Sequence, residues 1–495
     1  MMRRHFLAPI AIALSATAAD AQQLLPSAGT ERCSAAAANI GTATYWLDRS
    51  AATILPSTND RILKFSVSHD VPLWEQSDRM YEPFIPNAPV TTRWFDLASR
   101  IEGRQDSARP LSGHQLPSQL FGEGGGYSTR DSTVALISPA SVFSSALTNP
   151  WYVLSTWRAH VAHARVTQRC WYRDAWRVVL SRDGEKLYLS ESDATPMKLE
   201  RIEPHYLWGQ VRAEYLWSTY WGVQGGGYYP NASFRLFDGA IYERVGVVRF
   251  HAELISRDSA PVLSIAMAKP MPPSRTPANS GTPDTIRVSS NTFLLVTPVY
   301  TQAVTLQRDT LFLFDATTSE ARARQDSIWV AKLFPGKHPV VLVVTDLAWP
   351  HISGVRFWVA RGAIIVSSRE SEDFLKRVVT RRWTLAPDAL EKARATAHFR
   401  FRPVTDSLRL AGGAIVVHAL QNTSTETAVG AWIAGDKFLW AGDYIQGDPS
   451  SPYVRDVVAT VRALGLHPDK VSAQHIKLSD WVTYEQLFPQ QPSKH

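Results

Sequence analysis

Cysteine is nearly absent, with two among 495 residues, Cys33 and Cys170. That number allows one disulfide at most. It leaves open whether the two pair in an oxidising compartment or remain thiols. No Cys-x-x-Cys, His-Glu-x-x-His or Gly-x-Ser-x-Gly occurs, so the short signatures of thiol redox centres, zincin proteases and serine hydrolases are missing. Long apolar runs are missing as well. Residues 6–14 are too few to span a bilayer, and no later stretch supplies about 20 uncharged apolar residues. No charge of one sign dominates. The formal net charge is +7 and the charges are interspersed, without the basic stripe that a nucleic-acid partner requires.

What is present begins with a leader pattern. Arg3 and Arg4 precede the apolar run, and Ala19-Asp20-Ala21 follows it, so residues 1–21 read as a signal peptide cleaved after Ala21. Cleavage removes two arginines and one aspartate, taking the net charge to +6. Cys33 lies too far behind the run to be a lipid anchor. The mature chain is expected to be exported, periplasmic or extracellular, with no membrane span. At 45% hydrophobic and 20% charged the composition is globular, and 495 residues call for two domains with separate cores.

A stretch rich in Pro, Ser and Thr (residues 268–284) lacks apolar periodicity and reads as a linker. The expected division is a β-rich antiparallel domain over 22–267, a linker over 268–286 and a second domain over 287–495. Before the linker, Leu63, Phe65 and Val67 alternate with polar neighbours, as do Val211, Ala213, Tyr215 and Trp217. Asp183-Gly184 and Asp238-Gly239 are hairpin turns, because the tight turn needs positive φ at both central residues. A helix is expected after Ser138-Pro139, running towards Val166. The Gly-rich residues 121–130 lack a Gly-Lys-Ser/Thr ending and read as a loop rather than a phosphate cradle. Ten of the 17 tryptophans fall in this half. They either fill a core or line a curved sheet able to carry an apolar ligand.

After the linker, strands and helices alternate. A strand is expected over 310–316, a helix over 319–333, and a strand over 339–345 whose continuous Val and Leu suit burial on both faces. Ser353 is expected to cap a short helix ending at Arg361, with Gly362 behind it and a strand over 363–367. Ser451-Pro452 starts a helix with Val454, Val457, Val458, Val461 and Leu464 on one face, stopped by Gly465. These elements fit an αββα sandwich, so the fold class is α+β.

Six blocks carry a family resemblance. Residues 340–375 read VVLVVTDLAWPHISGVRFWVARGAIIVSSRESEDFL, and residues 294–316 read LLVTPVYTQAVTLQRDTLFLFDA. The others are TLAPDAL (384–390), VVHALQNTSTETAVGAWI (416–433), DKFLWAGDYIQ (436–446) and DVVATVRALGLHPDKVSAQH (456–475). In order and spacing they resemble the metallo-β-lactamase superfamily. The first half resembles, more loosely, the β-rich region that precedes this domain in one group of exported bacterial members. The resemblance implies two metal positions. The first falls on Asp346, Ala348 and Ser424, where all three histidines are gone. The second falls on Pro350, His351 and His475, with Asp443 bridging; only its aspartate is lost.

Ala348 and Pro350 offer no donor, and Ser424 is a poor ligand. Asp346 has a carboxylate but belongs to the first position. His351, Asp443 and His475 still make a two-histidine, one-carboxylate set able to hold Zn, Mn or Fe; alternatively the histidines simply hydrogen-bond Asp443. Three readings follow: a degraded site in a ligand-binding pseudoenzyme, a hydrolase of an ester, lactone or amide with one divalent metal, or an apolar-ligand carrier built on the aromatic sheet. In each the partner is a small molecule. His160 and His163 are expected to face solvent, and His418 to be structural.

Overall fold

A computed structural model of the chain describes residues 31–57, 61–72, 86–87, 90–106, 118–122, 125–130, 133–137, 146–260, 282–298, 300–422, 425–446 and 449–489. The leader, Ser138-Pro139, Ser424 and most of the Pro-rich stretch lie outside these residues. Every strand up to Ser256 belongs to one sheet, and every strand from Asp284 onward to two others. No helix among the described residues is long and apolar enough to cross a membrane.

The first sheet has 15 strands, joined by antiparallel ladders. Arg165–Tyr172 through Ala240–Ser256 lie side by side in sequence order, and Arg61–Pro72 then pairs with Ala240–Ser256. Asp183 and Asp238 take the positive φ expected of the two Asp-Gly turns. Of residues 121–130, read as a loop, the described ones instead lie in the paired strands Ser118–Gly122 and Gly125–Arg130; backbone pairing prevails there over the low strand propensity of glycine.

One face of this sheet is filled. Helices Ala43–Ile54 and Pro150–Ala159 lay Trp46, Trp151 and Trp157 against Leu63, Phe65, Val67, Tyr215 and Trp217. The indole N–H of Trp151 donates to the Tyr228 carbonyl at 2.8 Å, and that of Trp217 to the Thr148 carbonyl at 3.0 Å. The second helix begins at Pro150, later than the sequence implied. Asn149 caps it, its side chain accepting from Trp151 N at 3.0 Å, and it ends before His160. His160 and His163 are exposed, the latter in a separate 3-10 turn. At the sheet's edge, Arg32–Ala35 pairs with Arg165–Tyr172 in the register that sets Cys33 opposite Cys170, and the two form a disulfide.

The later strands form four layers. One sheet has seven strands, ending in the parallel run Thr310–Phe314, Val340–Val343, Ile364–Ser368 and Phe401–Val404. The other has six, from Ser407–Leu410 to Ile476–Asp480. Period-two alternation explains the stacking. Phe312, Phe314, Val341 and Val343 meet Val417, Ala431, Phe438 and Trp440 of the opposite sheet. Leu311, Leu313 and Leu342 turn the other way, into helices Glu320–Leu333, Val355–Ala360 and Glu372–Thr380. Across the molecule, Leu439, Ala441 and Val471 pack on helix Pro452–Ala463 through Val454, Val457, Val458 and Val461. Each such buried side chain contributes roughly 1.5–3 kcal/mol. Leu464 is exposed and outside that stripe, because the helix has already ended at Ala463. Ser353 does not cap its helix; its hydroxyl donates back to the Trp349 carbonyl at 2.6 Å.

The two halves meet at the turn between strands Pro196–His205 and Gly209–Gly222. There His205 Nδ1 accepts from the backbone N–H groups of Leu207 and Trp208 at 3.1 and 3.2 Å. Burial lowers the pKa of this imidazole to about 3, with the Arg235 and Arg381 cations pushing the same way.

Two outcomes follow from these features. Cys33→Ser should lower unfolding stability by about 2–4 kcal/mol, read by chemical denaturation, because the bridge closes a long loop. The folded chain leaves His205 neutral where the unfolded chain protonates it. Its contribution is therefore complete above pH 6.5 and declines as pH falls towards 3. The stability gap between the natural chain and His205→Gln should narrow from pH 7 to pH 4.5; a constant gap in urea midpoints would refute this.

Candidate functional site

The Val340–Val343 strand is too apolar to end in water, and its continuation, residues 344–348, runs buried to the four-residue helix Trp349–Ile352. Pro350 lies in the first turn of that helix, where its missing N–H costs nothing. Asp346 organises the turn. Its Oδ1 accepts from Ala348 N at 2.8 Å, and the same carboxylate meets His351 Nδ1 at 2.9 and 3.1 Å. With Nδ1 held by that carboxylate, Nε2 is the ring nitrogen that a cation would claim, in exchange for any proton it carries. The carbonyl of His351 accepts from Ala316 N at 2.9 Å.

Asp443 comes from the other sheet, just after strand Phe438–Trp440. The turn that places it requires glycine at 442, where φ is +61° and an added Cβ would lie 2.5 Å from Thr345 Oγ1. Asp443 Oδ1 lies 3.0 Å from His475 Nε2 and accepts from Gln446 Nε2 at 3.2 Å. His475 occupies the tight connection between Lys470–Ala473 and Ile476–Asp480 and remains one-third exposed, whereas His351 and Asp443 are buried. Tyr300 lies against both imidazoles, 5.0 Å from the His475 ring and 5.7 Å from that of His351.

Under the site lies a second carboxylate. Asp315 has positive φ and is fully buried. It accepts from Thr345 N at 2.7 Å, from Thr345 Oγ1 at 2.8 and 2.9 Å, and from Trp440 Nε1 at 3.2 Å. Burial pushes its pKa up, and the Asp346 carboxylate adds to the shift. For His351, burial alone would lower the pKa. The surrounding carboxylates, Asp346 first and then Asp443, outweigh it and raise the value to about 9.

The structure thus brings His351, Asp443 and His475 together, one donor atom from each lying within 4.8 Å of the others. Asp346 stands behind His351 rather than among the three. Ala348 is buried and Pro350 partly so, and neither side chain carries a donor. Ser424 falls outside the described residues. His418 lies on strand Ile415–Ala419, away from the cluster. Tyr300, Asp315, Thr345 and Gln446 escaped the sequence reading. Only Asp315 left a signal there, as a carboxylate closing an apolar strand.

Two imidazoles and a carboxylate suit a divalent cation. Ligand distances near 2.1 Å place neighbouring donors about 3–3.5 Å apart in a tetrahedral shell, and the His475–Asp443 separation of 3.0 Å falls in that range. Asp346 supplies what a metal-bound histidine commonly has, an anion holding its other nitrogen. On the far side of the turn, the described side chains of Ala348 and Pro350 carry no donor.

Neither a protein-family model nor a curated protein matches the chain. Among solved structures it is similar to the DIM-1 metallo-β-lactamase, at 14% identity over 42% of this chain and 95% of that one, with a TM-score of 0.31. A metallo-β-lactamase from Hirschia baltica covers 43% of this chain and 100% of its own at 10% identity, TM-score 0.31. The FIM-1 enzyme from Pseudomonas aeruginosa in its mono-zinc form covers 43% and 95% at 10% identity, TM-score 0.32. At those scores the similarity carries no argument about activity. The four-layer order of helix, sheet, sheet and helix in residues 284–489 rests on this chain's own strand pairing and core contacts.

Proposed function

We propose that the chain is an exported pseudoenzyme of metallo-β-lactamase-like fold, a β-rich domain over 22–267 linked through 268–286 to an αββα domain over 287–495. It binds a small molecule at the His351–Asp443–His475 cluster and lacks dinuclear zinc hydrolysis. The observation that carries this reading is the occupation of the first metal side. Ala348, at the first position, has nothing to offer a cation, nor has Pro350 at the second, and the first position's carboxylate, Asp346, is engaged by Ala348 N and His351 Nδ1. Export is supported by the leader pattern and by the Cys33–Cys170 disulfide, which suits an oxidising compartment.

A second reading, hydrolysis of an ester, lactone or amide with one divalent metal, is favoured by the close approach of the three surviving donors. In that case His351, Asp443 and His475 would hold the cation, which as a Lewis acid would polarise a carbonyl. Asp346 would keep the His351 ring in one orientation, and Gln446 Nε2 would hold the Asp443 carboxylate by donating to it. Nothing favours the apolar-carrier reading, since the tryptophan-bearing face of the first sheet is covered by two helices.

Elemental analysis of the mature chain, chelated and reloaded with Zn, Mn or Fe(II), tests the proposal. The expected outcome is one equivalent at most, lost in Asp443→Ala, with ester and lactone turnover at background. Two equivalents with β-lactam hydrolysis would refute it, and one equivalent with turnover abolished in His351→Ala would select the second reading.

A further inference from the structure

We propose that the Trp208 turn of the first sheet is a positioning element for His351, so that the first half of the chain sets the geometry of a site built from the second. The argument begins with the helix that bears His351. It has four residues and no side-chain cap, far below the length at which a helix holds itself. Contacts outside it must therefore fix its orientation. On one side the fixing group is Asp346, through His351 Nδ1. Trp349 lies two residues earlier, about 200° around the helix, so its side chain leaves from the opposite face. That face is covered by the first half of the chain. The Trp349 indole meets the His205 ring edge-on at 5.4 Å and the Trp208 indole at 5.6 Å, and is itself buried.

The turn that presents these rings is held more tightly than ordinary packing between two sheets requires. Leu207 is buried among the second-half helices. Arg381 Nε donates to the Trp208 carbonyl at 2.6 Å, and its Nη2 forms an ion pair with Asp238 at 2.5 Å. Gly209 has φ +73°, and an added Cβ would fall 2.5 Å from the Trp383 ring, so only glycine permits this approach. Trp383 is backed by the Arg356 guanidinium at 4.6 Å. Arg356 in turn pairs with Asp388 at 2.6 Å and donates to the carbonyls of Val378, Val379 and Arg381. Since Arg356 lies on the helix directly after the His351 turn, the contacts close on themselves. They run from Trp349 to Trp208, through Arg381 and Trp383 to Arg356, and back along five residues of chain to His351. A shift of the Trp208 turn is transmitted to His351 along two routes, the indole contact and the Arg356 helix.

The test uses the full mature chain with Gly209→Val, Trp208→Ala, Trp208→Phe and, as a destabilised control remote from the turn, Cys33→Ser. The first readout needs no metal: the His351 imidazole Nδ1–H resonance in histidine-labelled protein, assigned by its absence in His351→Ala. The second is Zn(II) affinity, which rests on the cation reading above. The expected result is a shifted or solvent-exchanged resonance and about tenfold or greater loss of Zn(II) affinity in Gly209→Val and Trp208→Ala. Trp208→Phe should restore both, and Cys33→Ser should leave both unchanged. An unaltered His351 resonance in Trp208→Ala overturns the proposal, as does equal damage in Cys33→Ser. If Gly209→Val does not fold, the Trp208 pair decides. If even the unsubstituted chain takes up no Zn(II), the cation reading fails while the resonance still decides the positioning role.

Discussion

The second half of the chain depends on how a buried carboxylate, Asp315, is satisfied. An ionised carboxyl taken out of water is tolerated only when donors replace its hydration. Here the donors come from three places: the backbone of Thr345 at the end of one strand, the hydroxyl of the same residue, and the indole of Trp440 in the facing sheet. The arrangement therefore ties both sheets together directly beneath the His351 turn. Thr345 also stands against Gly442, whose close approach allows Asp443 to come forward from the opposite side. His351 and Asp443 follow strands of different sheets, so this polar contact, together with the apolar core between the sheets, sets their separation.

The same logic separates the two sides of the His351 turn. On the side of Asp443 and His475 the polar groups still answer one another, with Gln446 and Tyr300 completing the surroundings. On the side of Ala348 the groups are apolar, and the core continues there around Trp349 and Ile352. Replacing both partners of a buried polar contact by apolar groups is close to neutral for stability, whereas removing one is costly. The Asp346 carboxylate is accordingly not stranded, but bonded to a histidine and to a backbone N–H.

Much of the second half was legible in the sequence because its signals are local. The continuous apolar run of residues 340–344, the Val stripe from Val454 to Val461 and the glycines after two of the helices, Gly362 and Gly465, reflect burial and chain geometry directly. The surviving donors were legible too, since residue type and spacing carried them. What could not be read was anything set by contact across the chain. Ser353 looks like a cap from its neighbours, yet its hydroxyl turns back to Trp349. Residues 121–130 look like a loop from composition, yet the described ones among them lie in paired strands. Trp208 and Gly209 lie more than 100 positions from Trp349 and Trp383, and no periodicity links them. The tryptophans of the first half were visible as a group, but only the packing of the two helices on the sheet shows that Trp46, Trp151, Trp157 and Trp217 share a core, whereas Trp176 and Trp221 are exposed.

The disulfide has a consequence beyond the loop it closes. Arg32–Ala35 is four residues long, and its partner Arg165–Tyr172 is eight. So short an edge strand has few ladder bonds of its own, and in a sheet of this width an uncovered edge is a template for pairing with other chains. The bond between Cys33 and Cys170 keeps the short strand in register, so it acts as a fastened cover. Reduction would leave most of the sheet intact while opening one side of it, and the damage would appear first as self-association between folded molecules rather than as unfolding.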